Sequence, residues 1–548
     1  MATTGHGERA ISRRGVLRLF GLAATTALVA ACRPSSPAQP VPTSPPLSGS
    51  TSAPIATVQP GATVAAVDQP RSGGILRQGN LGDLPTLDGN FLNGQSTIYP
   101  VWDRLVELDP QLNPVGILAE GWDVDDKYTR IALRLRQGVQ WHTGRELTSD
   151  DVAWNIRRVS SDPKVAGGGF YNWMSQTLTG IETPDKYTTV LLAERSWPAV
   201  FDTLSLLCII DPVTFAASGP GKPTGTGPFT FADYAQGDHF TLTRNPNYWQ
   251  SGKPYLDGVE IKIFKDPQTM MTELEAGAID LVLSPPIHDV ARLSKDPTFV
   301  TTFNAYSGGA NLVFVQMKDD AGPTTNKALR QALNAAIDRQ RWADAVLLGY
   351  GAPKTLPLAP PNPGYDAARD QAVAFDLDKA KSLLQQSGVG TPPLEVIWNA
   401  TVTDYATVMQ IYQQDLAKIG LDLTLKPTEP VTFVDQTYNS KFPSLATSAT
   451  LYGNLRPGFF AGNVYYSPFN NWSGFRSDRL LQLTDGLLHE TDPARQKQIY
   501  ADWMDYIQDE SWAMPWSNTA PRFMQTAKVH GVRWNLADYM MTNDAWLT

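Results

Sequence analysis

Apolar and polar residues alternate at Val259, Ile261 and Ile263, the period of a half-buried strand. Asp266-Pro267 follows, an acceptor side chain and then a ring that fixes φ, which predicts a helix beginning there. Gly277 stops that helix, and 279–283 reads as the next strand. The same order returns later. Leu394, Val396 and Trp398 alternate; Val408, Ile411, Tyr412 and Leu416 recur at helical spacing; Gly420 ends the helix; Leu421, Leu423 and Leu425 alternate again. Strand–helix–strand units with such short links predict parallel pairing through right-handed crossovers. Between the two units, Leu329, Leu333 and Ile337 mark one face of a helix running from 326 to about 348, with Gly349 as its stop. A further helix covers about 378–386 and closes at Gly388. The pattern is mixed α/β with at least two lobes, and the halves show no internal repeat.

The first 69 residues have neither period. Arg13 and Arg14 precede a mildly apolar run, 19–31, too short to span a bilayer. The paired arginines resemble a twin-arginine export signal, and Val29-Ala30-Ala31-Cys32 resembles a lipobox, so 1–31 is expected to be a cleaved signal peptide and Cys32 a lipidated N-terminus. Residues 32–69 are Pro, Ser, Thr, Ala and Val almost without charge. They cannot bury enough apolar surface to offset ordering entropy, and a disordered tether is expected. These features place the protein outside the cytoplasmic membrane, on its outer face or in the periplasm.

Composition narrows the class further. The 548 residues are 42 % hydrophobic and 18 % charged, with a formal net charge of −9, which is globular and acidic. No basic patch interleaved with aromatics argues for nucleic acid. The two cysteines, Cys32 and Cys208, exclude a disulfide framework. The six histidines are scattered, and no two have the spacing of a metal-ligand pair, so no metal or cofactor is expected. Ser161-Asp162-Pro163-Lys164 fits the letters of a catalytic S-x-x-K but sits in a polar turn with Pro inside. Gly225 and Gly227 lack the lysine of a P-loop and read as a turn into a strand. Asp150-Asp151 are explained by a helix N-terminus. The chain is expected not to be an enzyme.

An ordered series of segments resembles the extracellular solute-binding proteins of the oligopeptide and dipeptide ABC-importer family, solute-binding family 5. It runs Gly73-Gly74-Ile75-Leu76-Arg77 and Leu87-Asp88; Leu118-Ala119-Glu120-Gly121-Trp122; Gly138-Val139-Gln140-Trp141-His142-Thr143-Gly144 and Leu147-Thr148-Ser149-Asp150-Asp151-Val152. Gly225-Thr226-Gly227-Pro228-Phe229, Arg244-Asn245-Pro246-Asn247-Tyr248-Trp249 and Leu329-Arg330-Gln331-Ala332-Leu333-Asn334-Ala335-Ala336-Ile337-Asp338 complete it. Each has a structural reading. Thr148 with Asp151 forms a capping box above Val152, Ile156 and Val159; His142 before a Gly144 turn is structural; Asn245-Pro246-Asn247 turns Tyr248 and Trp249 against a lobe. The resemblance implies a three-domain periplasmic-binding-protein-like α/β fold whose two lobes close on a ligand by a hinge. Domain I would take about 70–111, 196–304 and 511–548, domain II about 112–195, and domain III about 305–510. It further implies a monomer that delivers a small solute to the permease and ATPase subunits of an ABC importer.

The resemblance also directs attention to residues 451–472, which hold seven aromatics and Arg456 but no Asp, Glu or Lys. Peptide-binding relatives carry there an aspartate that pairs with the peptide's α-amino group. Aligning Pro457 with the family proline puts Gly453 near that aspartate and Arg456 at a second acid; a one-residue shift puts Asn454 there instead. Neither supplies a carboxylate, and none occurs between Asp435 and Asp478. A buried ammonium without one suffers a large desolvation cost, whereas Arg456 suits an anionic or hydroxyl-rich ligand. The expected ligand-binding residues are Asn93, Gly94, Gln95, Tyr452, Asn454, Arg456, Phe459, Trp472 and Trp516. Most of the aromatics are expected to fill a core, with Tyr452 and Trp516 the exceptions. An oligopeptide is the leading ligand, an oligosaccharide or an anionic or neutral solute the alternative, and a secreted hydrolase a distant third.

Overall fold

The computed structural model describes residues 69–84, 86–90, 98–161, 174, 177–318, 322–462, 466–467, 471–518 and 520–548. The export signal with Arg13 and Arg14, the lipidation site Cys32, the tether up to 68, and Asn93, Gly94 and Gln95 lie outside the described residues.

The strand Ile75–Leu81 lies at the centre of a seven-stranded sheet. Its order is Phe299–Phe303, Arg522–Thr526, Leu281–Leu283, Ile75–Leu81, Gly258–Phe264, His239–Arg244 and Phe229–Ala235. The predicted unit at 258–283 forms as read: the Asp266 side chain accepts from Thr269 N at 2.7 Å to cap Pro267–Glu275, and Gly277 turns out of the helix at φ 70°. Its two strands are not neighbours, however. Ile75–Leu81 inserts between them, parallel to both. An N-terminal strand arriving from outside the unit is invisible to local periodicity.

The second sheet runs Leu423–Thr428, Leu394–Asn399, Leu445–Thr450, Ala310–Val315, Ala513–Asn518. Here the predicted unit pairs directly and in parallel, with Leu394 opposite Leu423. Alternation along Ala310–Val315 feeds two cores. Val313 and Val315 pack with Leu329, Leu333, Trp342 and Tyr412 on one face, and Leu312 and Phe314 with Trp472, Trp503 and Trp512 on the other. The helix expected over 326–348 is two helices, Lys327–Ala335 and Arg339–Leu347. Asp338 breaks it by capping the second, accepting from Arg341 N at 3.1 Å, while buried Arg339 donates to the Pro515 carbonyl at 2.8 Å and so draws the turn onto the sheet edge.

A small antiparallel sheet, Ala119–Val124, Arg130–Leu135, Thr188–Ala193 and Leu178–Asp185, packs under the helix Ser149–Ser161, whose Val152, Ile156 and Val159 are buried. Thr148 N and Oγ1 both donate to Asp151 Oδ2, at 2.9 and 3.0 Å, as the capping reading requires. The recognisable segments interlock. His142 Nε2 donates to the Gly227 carbonyl at 3.0 Å and Nδ1 accepts from Gly225 N at 3.3 Å, so the ring is a neutral clamp between two signatures. Thr226 Oγ1, Tyr248 OH and Trp249 Nε1 all donate to buried Asp103, at 3.1, 3.1 and 2.8 Å. Even so, burial pushes the Asp103 carboxyl up to about 6. No helix among the described residues is long and apolar enough to cross a membrane.

Candidate ligand-binding cleft and the joint between the lobes

The chain crosses between the two large sheets at two adjacent places. Phe299–Phe303, at one edge of the first sheet, leads into Ala310–Val315 of the second; Ala513–Asn518, at one edge of the second, leads back into Arg522–Thr526 of the first. In each sheet the two crossing strands pair antiparallel. The crossings themselves touch, with Asn304 N donating to the Pro521 carbonyl at 2.9 Å. Two parallel straps of this kind let two lobes swing while fixing the axis between them.

Residues 451–459 lie against this joint and not at a free rim. Gly453 N donates to the Gly308 carbonyl at 3.2 Å, and the approach is so close that a Cβ on Gly308 would stand 2.0 Å from Asn454 N. A Cβ on Gly453 would stand 2.2 Å from the Pro357 carbonyl oxygen. Two glycines thus lock backbone on backbone. Beside them Tyr452 adopts φ 68°, a left-handed conformation that an aromatic residue holds only when its surroundings enforce it. What enforces it is packing: Tyr452 is 1 % exposed, its ring meets Phe459 edge-on at 6.0 Å, and its hydroxyl is 2.9 Å from that of Tyr539. Tyr452, Leu455 and Phe459 belong to the core of the first lobe, with Tyr99, Trp102 and Leu204.

The polar residues of the segment reach in different directions. Asn454 is buried, and its Nδ2 donates to the Tyr306 and Leu536 carbonyls, both at 2.6 Å. Both neighbours are acceptors, so the amide orientation is fixed, and Oδ1 is the atom left without a partner. Arg456 is not free to greet an anion. Its Nη1 lies 2.5 Å from Asp202 Oδ2, its backbone N donates to Asp202 Oδ1 at 2.9 Å, and its Nη2 donates to the Leu112 carbonyl at 2.7 Å. Asp202 is fully buried and the Arg456 side chain 27 % exposed. Arg456 borders a cavity of about 530 Å³ walled by Trp122, Tyr128, Phe201, Gln496 and Tyr500. Burial pushes the Tyr500 hydroxyl up to about 12, so it stays protonated at neutral pH.

Of the remaining expected residues, Trp472 packs against Phe314 at 5.2 Å and Tyr438 at 5.3 Å, and Trp516 against Trp342 at 5.6 Å. Trp516 is 1 % exposed. Tyr452 and Trp516 are therefore core residues like Phe459, Phe460, Tyr466 and Trp472, because each faces a neighbouring element instead of the space between lobes. The structure brings Tyr452, Asn454, Arg456 and Phe459 to one joint and leaves Trp472 and Trp516 in the two cores of the second lobe.

Sequence reasoning passed over four residues that complete the joint: Asp202, Asn304, Asp538 and Tyr539. Asn304 Nδ2 donates to Asp538 Oδ1 at 2.7 Å and to the Asn535 carbonyl at 3.0 Å. Asp538 sits at φ 63° and is 6 % exposed; its Oδ2 has no partner among the described residues. Burial pushes its carboxyl up to about 7 against the hydrogen bonds of Ser307 and Asn304. The one local hint was Asn535, whose side chain accepts from Ala537 N at 3.0 Å and Tyr539 N at 2.8 Å, the kind of turn Asn favours.

Comparison with known proteins agrees with this architecture. A family model described as bacterial extracellular solute-binding proteins, family 5 Middle, matches residues 113–472. The chain belongs to that family. Heme-binding protein A of Haemophilus influenzae is 27 % identical over 458 residues, 76 % of this chain and 81 % of the relative. The glutathione-binding protein GsiB of Salmonella typhimurium is 27 % identical over 349 residues, 62 % of this chain and 66 % of its own. Among solved structures, the binding protein AgaA of A. tumefaciens R10 with agropinic acid superposes at a TM-score of 0.77 and 24 % identity, over 87 % of this chain and 99 % of AgaA. DppA of Helicobacter pylori with the peptide STSA also gives 0.77, at 21 % identity, over 87 % of this chain and 98 % of DppA. The fold is the three-domain, two-lobed one of these binding proteins. As a family 5 protein, this chain is the solute-capturing component of an ABC importer.

Proposed function

We propose that this family 5 protein captures an oligopeptide or a closely similar solute between its lobes and presents it, closed, to the permease and ATPase subunits of its importer. The observation that carries the reading is the pair of adjacent straps linking the two sheets, a connection suited to closure about one axis. Relatives named for glutathione and heme support an organic solute of moderate size. The divisions near 112, 196, 305 and 511 are kept for the domains, with 451–459 acting as the piece of domain III that docks on the first lobe. The chain acts without catalysis and as a monomer. Its place is the outer face of the cell membrane or the periplasm, after twin-arginine export through Arg13 and Arg14 and lipidation of Cys32. Asn93, Gly94 and Gln95 remain proposed ligand contacts on the first-lobe side.

An anionic or sugar ligand is the second reading, favoured by the absence of any carboxylate between Asp435 and Asp478. The Asp202 partner removes its strongest argument, since Arg456 brings no net charge. A thermal-shift screen separates the two, because a ligand that binds only the native state raises the melting temperature. Glutathione or tripeptides are expected to raise it. A response to oligosaccharides or organic anions alone would favour the second reading, and turnover of any probe would contradict both.

A further inference from the structure

The cavity beside Arg456 takes its walls from both lobes and none from the crossing straps or from 535–539. Trp122 and Tyr128 belong to the small antiparallel sheet and its first hairpin, and Phe201 to the short helix Val200–Leu204. Leu487 and Tyr500 come from two helices of the second lobe, Asp478–His489 and Pro493–Glu510. The two sides are tied together next to it. Arg195 Nη2 donates to Asp485 Oδ2 at 2.7 Å, and His489 Nδ1 donates to the Ser196 carbonyl at 2.7 Å.

Two side chains in these walls are ones that packing alone does not ask for. Tyr128 stands at φ 54° in a hairpin turn, a left-handed position that glycine holds without strain. Its backbone serves the turn, N donating to the Asp125 carbonyl at 2.9 Å and the carbonyl accepting from Trp197 N at 2.9 Å, and any residue but proline supplies those atoms. What tyrosine adds is a ring on the cavity. Strain of this kind collects where a side chain has a function. Tyr500 is the second. It is 8 % exposed, and its hydroxyl, at the cavity, has no hydrogen-bond partner among the described residues. A buried hydroxyl left so is costly unless something arrives to meet it.

The free edges select the occupant. Trp122 Nε1 can only donate, and it too has no partner among the described residues. Gln496 Nε2 donates to the Glu490 carbonyl at 2.6 Å, which leaves Oε1, an acceptor, for the cavity. The Tyr500 hydroxyl can do either. A carboxylate cannot answer Gln496 Oε1, and an ammonium cannot answer Trp122; hydroxyls answer all three. Charge points the same way. Among the described residues, the one ionised wall residue is Arg456, and Asp202 neutralises it. Between the polar edges stand flat apolar faces, with the Trp122 and Phe201 rings 5.0 Å apart, against which the C–H faces of a saturated ring can pack. A cavity of about 530 Å³ has room for a small ligand of roughly one or two such rings. We propose that it binds an uncharged, polyhydroxylated ring with the chemistry of a mono- or disaccharide. Tyr500 and Gln496 meet its hydroxyls, and Trp122 and Tyr128 its faces. Such a site stands whatever solute the importer takes. Because the occupant touches both lobes, it binds the closed form better than an open one and favours closure.

Saturation-transfer NMR on the full chain, with glucose, maltose and cellobiose against gluconate and glucosamine, tests this. A melting temperature would not, since sugars excluded from the surface raise it without binding. At least one neutral sugar is expected to bind saturably at millimolar concentration, and the two charged compounds at least about tenfold more weakly. Tyr500→Phe, which keeps the ring and removes the hydroxyl, is expected to weaken the sugar about tenfold. Tyr128→Gly separates a ligand-facing ring from a structural one. It is expected to keep or raise the urea midpoint, because the turn loses its strain, while sugar affinity falls. A lowered midpoint with unchanged affinity overturns the site; should that variant fail to fold, Tyr500→Phe decides. Sugar binding that survives both substitutions lies elsewhere and overturns it too. So does equal binding of the charged compounds, or no saturable response to any of the three sugars. None of these results bears on peptide capture, which the thermal-shift screen with glutathione and tripeptides decides.

Discussion

Arg456 and Asp202 show how far a side chain's chemistry depends on what the fold sets opposite it. In sequence, Arg456 is a lone positive charge among aromatics. In the structure it neutralises a fully buried carboxylate. Removing one member of such a pair strands the other, so Arg456→Ala is expected to lower unfolding free energy by about 3 kcal/mol. Urea titration checks it; a loss under about 1 kcal/mol would return the arginine to a ligand role. Two further residues give opposite pH slopes. Burial lowers His142 to about 4, so the unfolded chain, with a histidine near about 6.5, takes up its proton first. Stability from that clamp is present above about 6.5 and lost as pH falls toward 4. Asp538 is raised to about 7, above the unfolded aspartate near about 3.9. The native state there holds the extra proton, so its contribution is full at low pH and lost as pH rises through 7. Asp538→Asn should flatten the neutral side of the stability profile, and His142→Gln the acidic side; chemical denaturation between pH 4 and 8 reads both.

At the scale of elements, what was legible and what was not divides by range. The caps at Asp266 and Thr148, the stops at Gly277, Gly388 and Gly420, and the strands at 258 and 394 follow from periods and turn chemistry within a dozen residues. The same local reading ran one helix across Asp338, where a cap and a buried arginine turn the chain. It also could not see Ile75–Leu81 enter between two strands of a later unit, since that pairing spans some 180 residues. The site was read least well for the same reason. The expected residues 452–459 do gather, but Asp202, which pairs with Arg456 and so decides its chemistry, comes from a segment some 250 residues away. The glycine contact that locks 451–459 to the straps gives this scale its test. Gly308→Ala would push a methyl to 2.0 Å from Asn454 N, against backbone that cannot yield. A loss of about 2 kcal/mol or more is expected, whereas Gly221→Ala, with nothing within 4 Å, should change little. Comparable midpoints for the two variants would mean the joint is looser than its contacts imply.

For the whole molecule, Cys208 belongs to the fold, and Cys32 is the proposed point of attachment. Cys208 is fully buried in the first-lobe core, between Asn90, which exchanges hydrogen bonds with its backbone at 2.9 and 3.0 Å, and the Arg104 side of that core. Burial pushes its thiol up to about 12, so it is neither exposed nor nucleophilic in the native state. A thiol so placed reacts only when the lobe unfolds, and the proposed lipid attachment falls to Cys32. The count of reactive thiols follows. Folded protein purified from the cytoplasm before lipidation should take up one equivalent of maleimide, through Cys32, and two after denaturation. Cys32→Ala should take up none when folded. In cells the same change should move the protein from the membrane fraction to the periplasm or medium, while Arg13→Lys with Arg14→Lys should hold it inside. Retention of Cys32→Ala on the membrane would mean that something other than lipid holds the carrier beside its importer.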